Sequence, residues 1–207
     1  MNCNFTYDHY EAILKEFQLH GYMSFPFGQL NPWSTKQLFL RHDVDFFDPN
    51  LQVFADLEAE NGLYATYFFL ITAEHYNAAS NSVQKMISFL RRKGHYIGWH
   101  VDLSTFKSKD DMEYEFDKAS SILGKLDAYS FHLPNQTKYQ AYLDENLLLP
   151  IPCTYEPRFV NGIIYRSDSS MQWRNGCPCD DIKTWQGRSC QLLTHKLVGS
   201  PAVREAG

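Results

Sequence analysis

The sequence predicts an α/β fold built on a parallel sheet or barrel. Short apolar runs of strand length alternate with segments whose apolar residues recur at helical spacing. Successive strands are separated by helix-length connections, as a parallel arrangement requires. A chain of 207 residues, 44% of them hydrophobic, is also long enough to bury one sizeable core.

The predicted helices begin and end at residues that favour helix termini. Residues 7–20 form an amphipathic helix that Gly21 ends. A second helix opens at Asp48, an N-cap followed by proline, and closes at Gly62. The remaining helices are expected from Ser80 or Asn81 to Gly94, from Ser108 (with Asp111 as a capping box) to Gly124, and over residues 138–146.

The predicted strands are apolar runs, several of them rich in aromatic and β-branched residues. The first four alternate with the helices and cover residues 37–43, 64–71, 96–100 and 127–133. Three shorter strands are expected at 153–154, 163–167 and 191–195.

Composition and charge exclude several classes of protein. The net charge is −5 and no basic stripe or Lys/Arg run suggests nucleic acid, so we expect no nucleic-acid partner. No apolar segment approaches the roughly 20 residues of a membrane span, and residues 1–20 do not have the pattern of a secretory signal. Five cysteines, an odd number, indicate reduced thiols, and we expect a cytoplasmic location.

The first strand ends in the sequence Arg41-His42-Asp43-Val44-Asp45. Because strand side chains alternate, Arg41, Asp43 and Asp45 share one face and His42 points the other way. The simpler interpretation is an Arg41–Asp43 ion pair with Asp45 in solvent. The alternative is that one carboxylate binds a metal and the other is a general base, since buried carboxylates are costly unless they are paired or metal-bound.

Titratable side chains also follow the other strands. The full set of candidates is Asp43, Asp45, His100, His132, Asp168 and His195. Active sites of alternating barrels lie at the carboxyl ends of the strands, where these residues would meet. One Asp and two His make a facial ligand set for Zn²⁺ or a similar divalent ion. The pattern therefore predicts metal-assisted hydrolysis of an amide or ester.

The motifs resemble those of the polysaccharide deacetylase superfamily, also called carbohydrate esterase family four or the NodB-homology fold. The first motif, Arg-His-Asp-Val-Asp at 41–45, is similar to that of a divergent branch found with bacterial surface-polysaccharide genes. The segments at 94–100, 130–134, 165–169 and 193–195 correspond to the later family motifs.

The resemblance covers residues 36–198 and implies an irregular (β/α)7 barrel, TIM-barrel-like, in a single domain over residues 1–207. Residues 1–35 would then hold the first helix and a lead-in, and residues 199–207 a loose tail. The implied reaction removes an N-acyl group, acetyl or formyl, from an amino sugar of O-antigen, capsule or a precursor. The sequence gives no indication of an oligomeric state.

The resemblance also implies a role for each matching residue. Asp43 corresponds to the catalytic base and Asp45 to the metal-binding aspartate. His100 corresponds to the first metal-binding histidine, and His195 to the general acid. Asp168 falls near the motif whose acid orients the others. The implied cofactor is a divalent ion, zinc first, with cobalt, manganese and nickel as alternatives.

The chain departs from the family in its second motif, His-Ser/Thr-x-x-His. Here the motif runs from His100 to Ser104, so the second histidine is absent. Either His132 or Asp102 could replace it as a ligand. If neither does, the protein would be an inactive, carbohydrate-binding relative on the same fold.

Two further predictions concern residues without a catalytic or metal-binding role. Tyr129, Trp173, Arg174 and Trp185 could line a sugar groove, although packing is the favoured role for each. We expect His95 to be structural.

Three cysteines could contribute to a second metal site. Cys177, Cys179 and Cys190 could form part of a structural zinc site, but no second cysteine pair completes it. The sequence therefore does not favour this site, and His9, His20 and His75 are given no role.

Overall fold

A computed structural model describes most of the chain. The described residues are 3, 5–106, 108, 110–133, 149–169, 172, 173 and 175–195. The helix expected at 138–146, the tail expected at 199–207 and the candidate groove residue Arg174 lie outside them.

Within the described part of the chain, seven strands make one sheet, and every pairing is parallel. They are β1 (Met23–Ser24), β2 (Gln37–Val44), β3 (Ala65–Leu70), β4 (Tyr96–Val101), β5 (Ala128–Phe131), β6 (Ile164–Ser167) and β7 (Cys190–Thr194). Six strands follow the order β5-β4-β3-β2-β7-β6, and β1 pairs with the beginning of β2. The predicted parallel sheet is therefore confirmed.

Helices connect the strands of the first half of the sheet. The described helices are α1 (Tyr7–Leu19), α2 (Leu51–Glu60), α3 (Asn81–Arg92), α4 (Asp110–Leu123), α5 (Pro157–Val160) and α6 (Pro178–Asp181). Short 3₁₀ turns lie at Phe27–Gln29, Leu103–Thr105 and Ile182–Thr184. The connections β2-α2-β3-α3-β4-α4-β5 match the predicted alternation. Among the described residues, none of the helices combines the length and apolar character that a bilayer crossing requires.

Helix α2 starts later than the sequence predicts. The expected N-cap, Asp48, instead accepts a hydrogen bond from the Asn50 N–H on its Oδ1 at 2.9 Å. This contact closes an Asx turn before the first helical residue, Leu51. The predicted capping box ahead of α4 is present in part, because the Ser108 N–H donates to Asp111 Oδ2 at 2.9 Å.

The larger core lies between the helices and the outer face of the sheet. Alternate residues of β2, Leu38 and Leu40, point into it and are less than 2% exposed. Ile13 and Phe17 of α1 belong to the same cluster, which explains the apolar face of that helix.

The inner face of the sheet holds a second, aromatic core. Phe39 of β2 and Phe68 of β3 meet Phe27 and Phe159 there, and all four are fully buried. The Phe27 ring lies 5.4, 5.9 and 5.0 Å from those of Phe39, Phe68 and Phe159, in tilted or edge-on contacts. Because side chains from different strands meet on this face, the sheet is curled around it.

The edge strands β5 and β6 share no ladder within the described residues. Residues 152–154 lie along β5, where the Thr154 N–H donates to the Tyr129 carbonyl at 3.0 Å. The Gln191 side chain of β7 donates to the carbonyls of Thr154 and Phe159, at 3.3 and 3.2 Å. The described strands thus form a curled, all-parallel half-barrel, in agreement with a barrel-like α/β fold. The seven-stranded closure that the resemblance implies stays a prediction.

Candidate metal centre

The side chains that the sequence singles out lie at one edge of the sheet. They are Asp43 at the end of β2 and Asp45 beyond it, His100 at the end of β4, His132 after β5, Asp168 after β6 and His195 after β7. The parallel order brings the carboxyl ends of these strands together, which is why residues distant in sequence meet here.

Three potential ligand atoms face one another at this edge. Asp45 Oδ1 lies 3.3 Å from His100 Nε2 and 2.9 Å from His132 Nδ1. The two nitrogens are 3.3 Å apart. Ligand atoms held about 2.0–2.1 Å from a zinc ion, at octahedral or tetrahedral angles, lie roughly 2.9–3.4 Å from one another. The three residues could therefore hold one metal ion.

The hydrogen bonding of Asp45 also fits a cation. Its Oδ1 atom is buried, and no described residue gives it a hydrogen bond of good geometry, although two imidazole nitrogens are within 3.3 Å. A buried carboxylate oxygen without an aligned donor is costly. A cation between the three atoms would satisfy it, whereas a proton on either imidazole is poorly directed for this purpose.

The charges of the cluster favour an ionised Asp45. Burial alone would raise the pKa of Asp45, but the neighbouring His100 and His132 outweigh it and hold that pKa well below its usual range. The carboxylate in turn raises the pKa of His132 despite the partial burial of the ring. Asp45 is therefore anionic, as a metal-binding carboxylate must be.

His100 is fixed by a neighbour on the next strand. Its Nδ1 lies 2.7 Å from Ser130 Oγ, and the Ser130 hydroxyl donates to Asp43 Oδ1 at 3.5 Å. In this chain of hydrogen bonds the Nδ1–H of His100 donates to Ser130, so Nε2, which faces Asp45, is the ring atom available to a metal ion. Such an outer hydrogen bond sets the tautomer of a metal-binding histidine.

Arg41 and Asp43 form the ion pair that the simpler interpretation expects. The guanidinium donates from Nε to Asp43 Oδ1 at 2.8 Å and from Nη2 to Oδ2 at 2.7 Å. Arg41 is fully buried, and its guanidinium carbon lies 4.8 Å from the centre of the Tyr155 ring. Burial favours a neutral Asp43, but the Arg41 charge outweighs it and lowers the pKa of the carboxyl. Asp43 Oδ2 also lies 3.9 Å from His100 Nε2, so the pair borders the group formed by Asp45, His100 and His132.

Asp168 and His195 form a second pair. Asp168 Oδ1 accepts a hydrogen bond from the His195 ring, with a distance of 2.6 Å to Nδ1. The backbone N–H of His195 is 3.0 Å from both carboxylate oxygens. Burial would lower the pKa of His195, but Asp168 outweighs it and the net pKa is raised. The pair therefore holds the imidazole in a fixed orientation and favours its protonated form.

One cavity is bordered by Asp43 of the first pair and by both residues of the second. Asp43, Asp45, Asp168 and His195 all line a space of about 280 Å³ at the carboxyl edge of the sheet. A small acyl group and part of a sugar ring fit a space of this order.

Asp102, the alternative ligand, is engaged elsewhere. Its Oδ1 accepts a hydrogen bond from the Ser104 N–H at 2.9 Å and caps the 3₁₀ turn that follows β4. His132 is the residue that lies against Asp45 and His100.

The candidate groove residues have packing roles, as the sequence analysis favours. Tyr129 and Trp185 are 6% and 4% exposed and belong to the larger core. Trp173 stacks on Phe5, with ring centres 5.8 Å apart. Among the described residues, the aromatic side chain that lines the cavity and remains exposed is Phe46 (60%).

Phe46 is held in place by a residue to which the sequence analysis gives no role. Its ring stacks on His75 at 4.7 Å with an interplanar angle of 23°. No sequence pattern indicates this contact, because both residues lie in loops.

A buried polar network on the outer face of the sheet was not foreseen from the sequence. Glu58 of α2 is fully buried and accepts hydrogen bonds from the hydroxyls of Tyr10 and Tyr67, at 2.5 and 2.8 Å. The His42 Nε2 atom lies 2.5 Å from the same carboxylate, and its Nδ1 lies 2.8 Å from Thr194 Oγ1. His42 thus points away from the candidate metal ligands, as strand alternation predicts, and connects β2 to α2 and β7.

His95 has a structural environment. Its Nδ1 accepts a hydrogen bond from the Ala65 N–H at 3.1 Å, so its Nε2–H donates to the Ala55 carbonyl at 3.0 Å. Burial is the main reason that the pKa of His95 is lowered, and the ring is neutral.

Comparisons with known proteins give no assignment. No family model matches the chain, and no curated protein matches it.

Proposed function

We propose that this protein is a divalent-metal hydrolase that removes an N-acyl group from an amino sugar. The observation that carries the proposal is the triangle of Asp45 Oδ1, His100 Nε2 and His132 Nδ1, with sides of 3.3, 3.3 and 2.9 Å. It is supported by Asp43 and by the Asp168–His195 pair, which line one cavity together with Asp45.

Asp45, His100 and His132 would hold the ion, and the chemistry of the donor set fits zinc. A divalent ion at this position supplies acidification of a water molecule and polarisation of the amide carbonyl. Three protein ligands leave a position open for substrate, as hydrolytic sites require. The Ser130 hydroxyl keeps His100 in the tautomer that exposes Nε2.

Asp43 takes the proton of the attacking water in this proposal. Its lowered pKa keeps it ionised at neutral pH, and Arg41 fixes both of its oxygens. The 3.9 Å distance to His100 Nε2 keeps the carboxylate within reach of a water molecule beside the cluster. A general base in this position contributes about 10²–10⁴-fold in rate.

His195 gives a proton to the leaving nitrogen. Its Nδ1–H donates to Asp168, so in the protonated ring the Nε2–H is free to act as the acid. Water adds to the carbonyl carbon, the C–N bond breaks, and the products are a carboxylic acid and the free amine of the sugar. Asp168 positions the ring and favours its protonated form without contacting the substrate.

The sugar part of the proposal depends on the resemblance of the motifs. The exposed aromatic ring of Phe46 at the cavity and the exposed Leu133 beside His132 offer surfaces for the apolar face of a sugar or its acyl group. We therefore favour an N-acetylated or N-formylated amino sugar in a surface polysaccharide or its precursor as the substrate.

Metal analysis and amine release test this function. Zinc-loaded protein should release free amine from N-acetylglucosamine oligosaccharides, and a chelator should stop the release. Asp43→Asn should lower kcat by about 10²-fold or more while the metal content stays unchanged, because the amide cannot take the proton, although its oxygen still accepts one of the two hydrogen bonds from Arg41.

Two further variants separate the candidate ligands. His132→Ala should lose the metal of this site, whereas Asp102→Asn, the matched control on the neighbouring turn, should keep it. A protein that binds these sugars but neither takes up metal through His132 nor releases amine would contradict the hydrolase and favour the carbohydrate-binding alternative.

A further inference from the structure

A second cluster of ligand-type side chains lies away from the cavity. Cys177 is the N-cap of α6 and Cys179 lies in that helix, within the connection between β6 and β7. Cys3 and His9, from the beginning of the chain, meet them there. The sequence separations are 176 residues for Cys3–Cys179 and 168 for His9–Cys177, so no local motif joins the four.

The four ligand atoms are close enough to share one ion. Cys177 Sγ and Cys179 Sγ are 3.2 Å apart, and Cys179 Sγ and Cys3 Sγ are 3.4 Å apart. His9 Nε2 lies 3.3 Å from Cys177 Sγ, and all four atoms lie within 4.8 Å of one another. A tetrahedral zinc ion, about 2.3 Å from sulfur and 2.0–2.1 Å from nitrogen, needs separations of roughly 3.5–3.8 Å, so these three contacts would lengthen by roughly 0.2–0.6 Å around an ion.

We propose that Cys3, His9, Cys177 and Cys179 form a structural zinc site. Three sulfurs and one imidazole nitrogen are a common set for a closed tetrahedral site without an open position for substrate. The Asp180 carboxylate, 3.5 Å from Cys3 Sγ, adds negative charge beside the cluster and favours a divalent cation as its occupant.

The surroundings of the cluster fit a site of this kind. His9 and Cys177 are buried, at 6% and 2% exposure, whereas Cys3 and Cys179 are half-buried and give the ion a route of entry. The Trp173 ring meets His9 edge-on at 6.5 Å and stacks on Phe5, so an apolar wall covers one side.

Cys190, the third thiol that the sequence analysis considered, does not belong to this site. It lies within β7 and is fully buried, and it is absent from the cluster. The two ligands that complete the site beside Cys177 and Cys179 are Cys3 and His9. Long-range packing of α1 against α6 brings them to the Cys177–Cys179 pair, which spacing along the chain could not indicate.

The zinc would tie the beginning of the chain to the β6–β7 connection. Asp168 follows β6 and His195 follows β7. The connection therefore joins the two strands that carry the proposed general acid, His195, and the residue that positions it, Asp168. The Arg166–Asp181 ion pair, at 2.5 Å, already joins β6 to α6 on the same side. The role of the ion is therefore to hold the connection in place, separately from the proposed reaction.

Metal content and cobalt spectroscopy test the proposal on the full chain purified under reducing conditions. The double variant Cys177→Ser/Cys179→Ser should contain one zinc ion per chain fewer than the wild type by mass spectrometry. The control Cys190→Ser should keep the wild-type content. Cobalt-substituted wild type should show sulfur-to-cobalt charge-transfer absorption, which the double variant should lose and His132→Ala should retain.

The comparison of the double variant with His132→Ala distinguishes this site from the proposed hydrolase centre, because either proposal can be wrong while the other is right. Equal zinc content in the wild type and the double variant, or no charge-transfer absorption in the wild type, would overturn the proposal. If the double variant does not fold, titration of wild-type thiols with a mercurial reagent replaces it. Release of one zinc ion per chain is expected, and modification of the thiols without release would refute the site.

Discussion

Individual hydrogen bonds decide which atoms of the candidate centre can face a metal or a substrate. Ser130 engages Nδ1 of His100, and Asp168 engages Nδ1 of His195. In both rings Nε2 is therefore the atom left for chemistry, as a ligand in His100 and as a proton donor in His195.

Asp168→Asn should move the alkaline limb of the pH profile of kcat/KM to lower pH. The Asp168 charge raises the pKa of His195, and the acid acts only while the ring is protonated. In the wild type, activity is thus present below the pKa of His195 and is lost as the pH rises through it. Without the charge this loss begins at lower pH, and kcat/KM at neutral pH falls by up to about 10²–10⁴-fold.

The control for this profile is Asp48→Asn, which removes a carboxylate from the wall of the same cavity. Its alkaline limb should match that of the wild type. If the alkaline limb of the kcat/KM profile of Asp168→Asn lies at the same pH as in the wild type, His195 is not the acid.

The sequence predicts part of this chemistry at the residue scale. Strand alternation places Arg41 and Asp43 on one face and His42 on the other, because the period of a strand is two. The sequence cannot predict the contact of His42 with Glu58 or that of His9 with Cys177, because both contacts depend on how the helices pack.

Among the elements, β4 carries a glycine whose small size is required by the inner core. Gly98 pairs in register with Phe68 of β3, and the Phe68 ring lies across the place where a side chain at 98 would be. A Cβ atom at 98 would be 2.3 Å from Cδ1 of that ring. The glycine thus allows an aromatic ring beneath His100, two residues further along β4.

Gly98→Ala should destabilise the fold by about 1–3 kcal/mol, because Phe68 must leave its place among the other buried rings. Urea unfolding of metal-saturated protein measures this change. The matched control is Gly28→Ala, where an added Cβ meets nothing within 4 Å and the cost should stay within about 0.5 kcal/mol. Equal midpoints for the two variants would refute the packing argument.

Strands β2 to β7 and the longer helices could be predicted from hydrophobic periodicity, with ends that differ by one or two residues. The two-residue strand β1 was not predicted, and the strand expected at 153–154 is only an isolated bridge between Cys153 and Tyr129. The start of α2 differs because Asp48 closes a turn instead of capping the helix. The four-residue helices α5 and α6 were missed because one turn is too short to show a periodic pattern.

At the scale of the whole molecule, the parallel sheet brings the candidate residues together. Asp43 and His195 are 152 positions apart, yet they line one cavity because β2 and β7 are neighbours running in the same direction. The sequence predicts that the strand ends meet, since alternating strands and helices favour a parallel sheet. It does not predict the strand order, nor that His132 rather than Asp102 turns toward Asp45.

The most direct test of the metal centre is an anomalous-difference map, collected at the zinc absorption edge, from crystals of zinc-loaded protein. We expect a peak about 2.0–2.2 Å from Asp45 Oδ1, His100 Nε2 and His132 Nδ1. A map without a peak between these atoms, with the His132 ring turned away from Asp45, would contradict it.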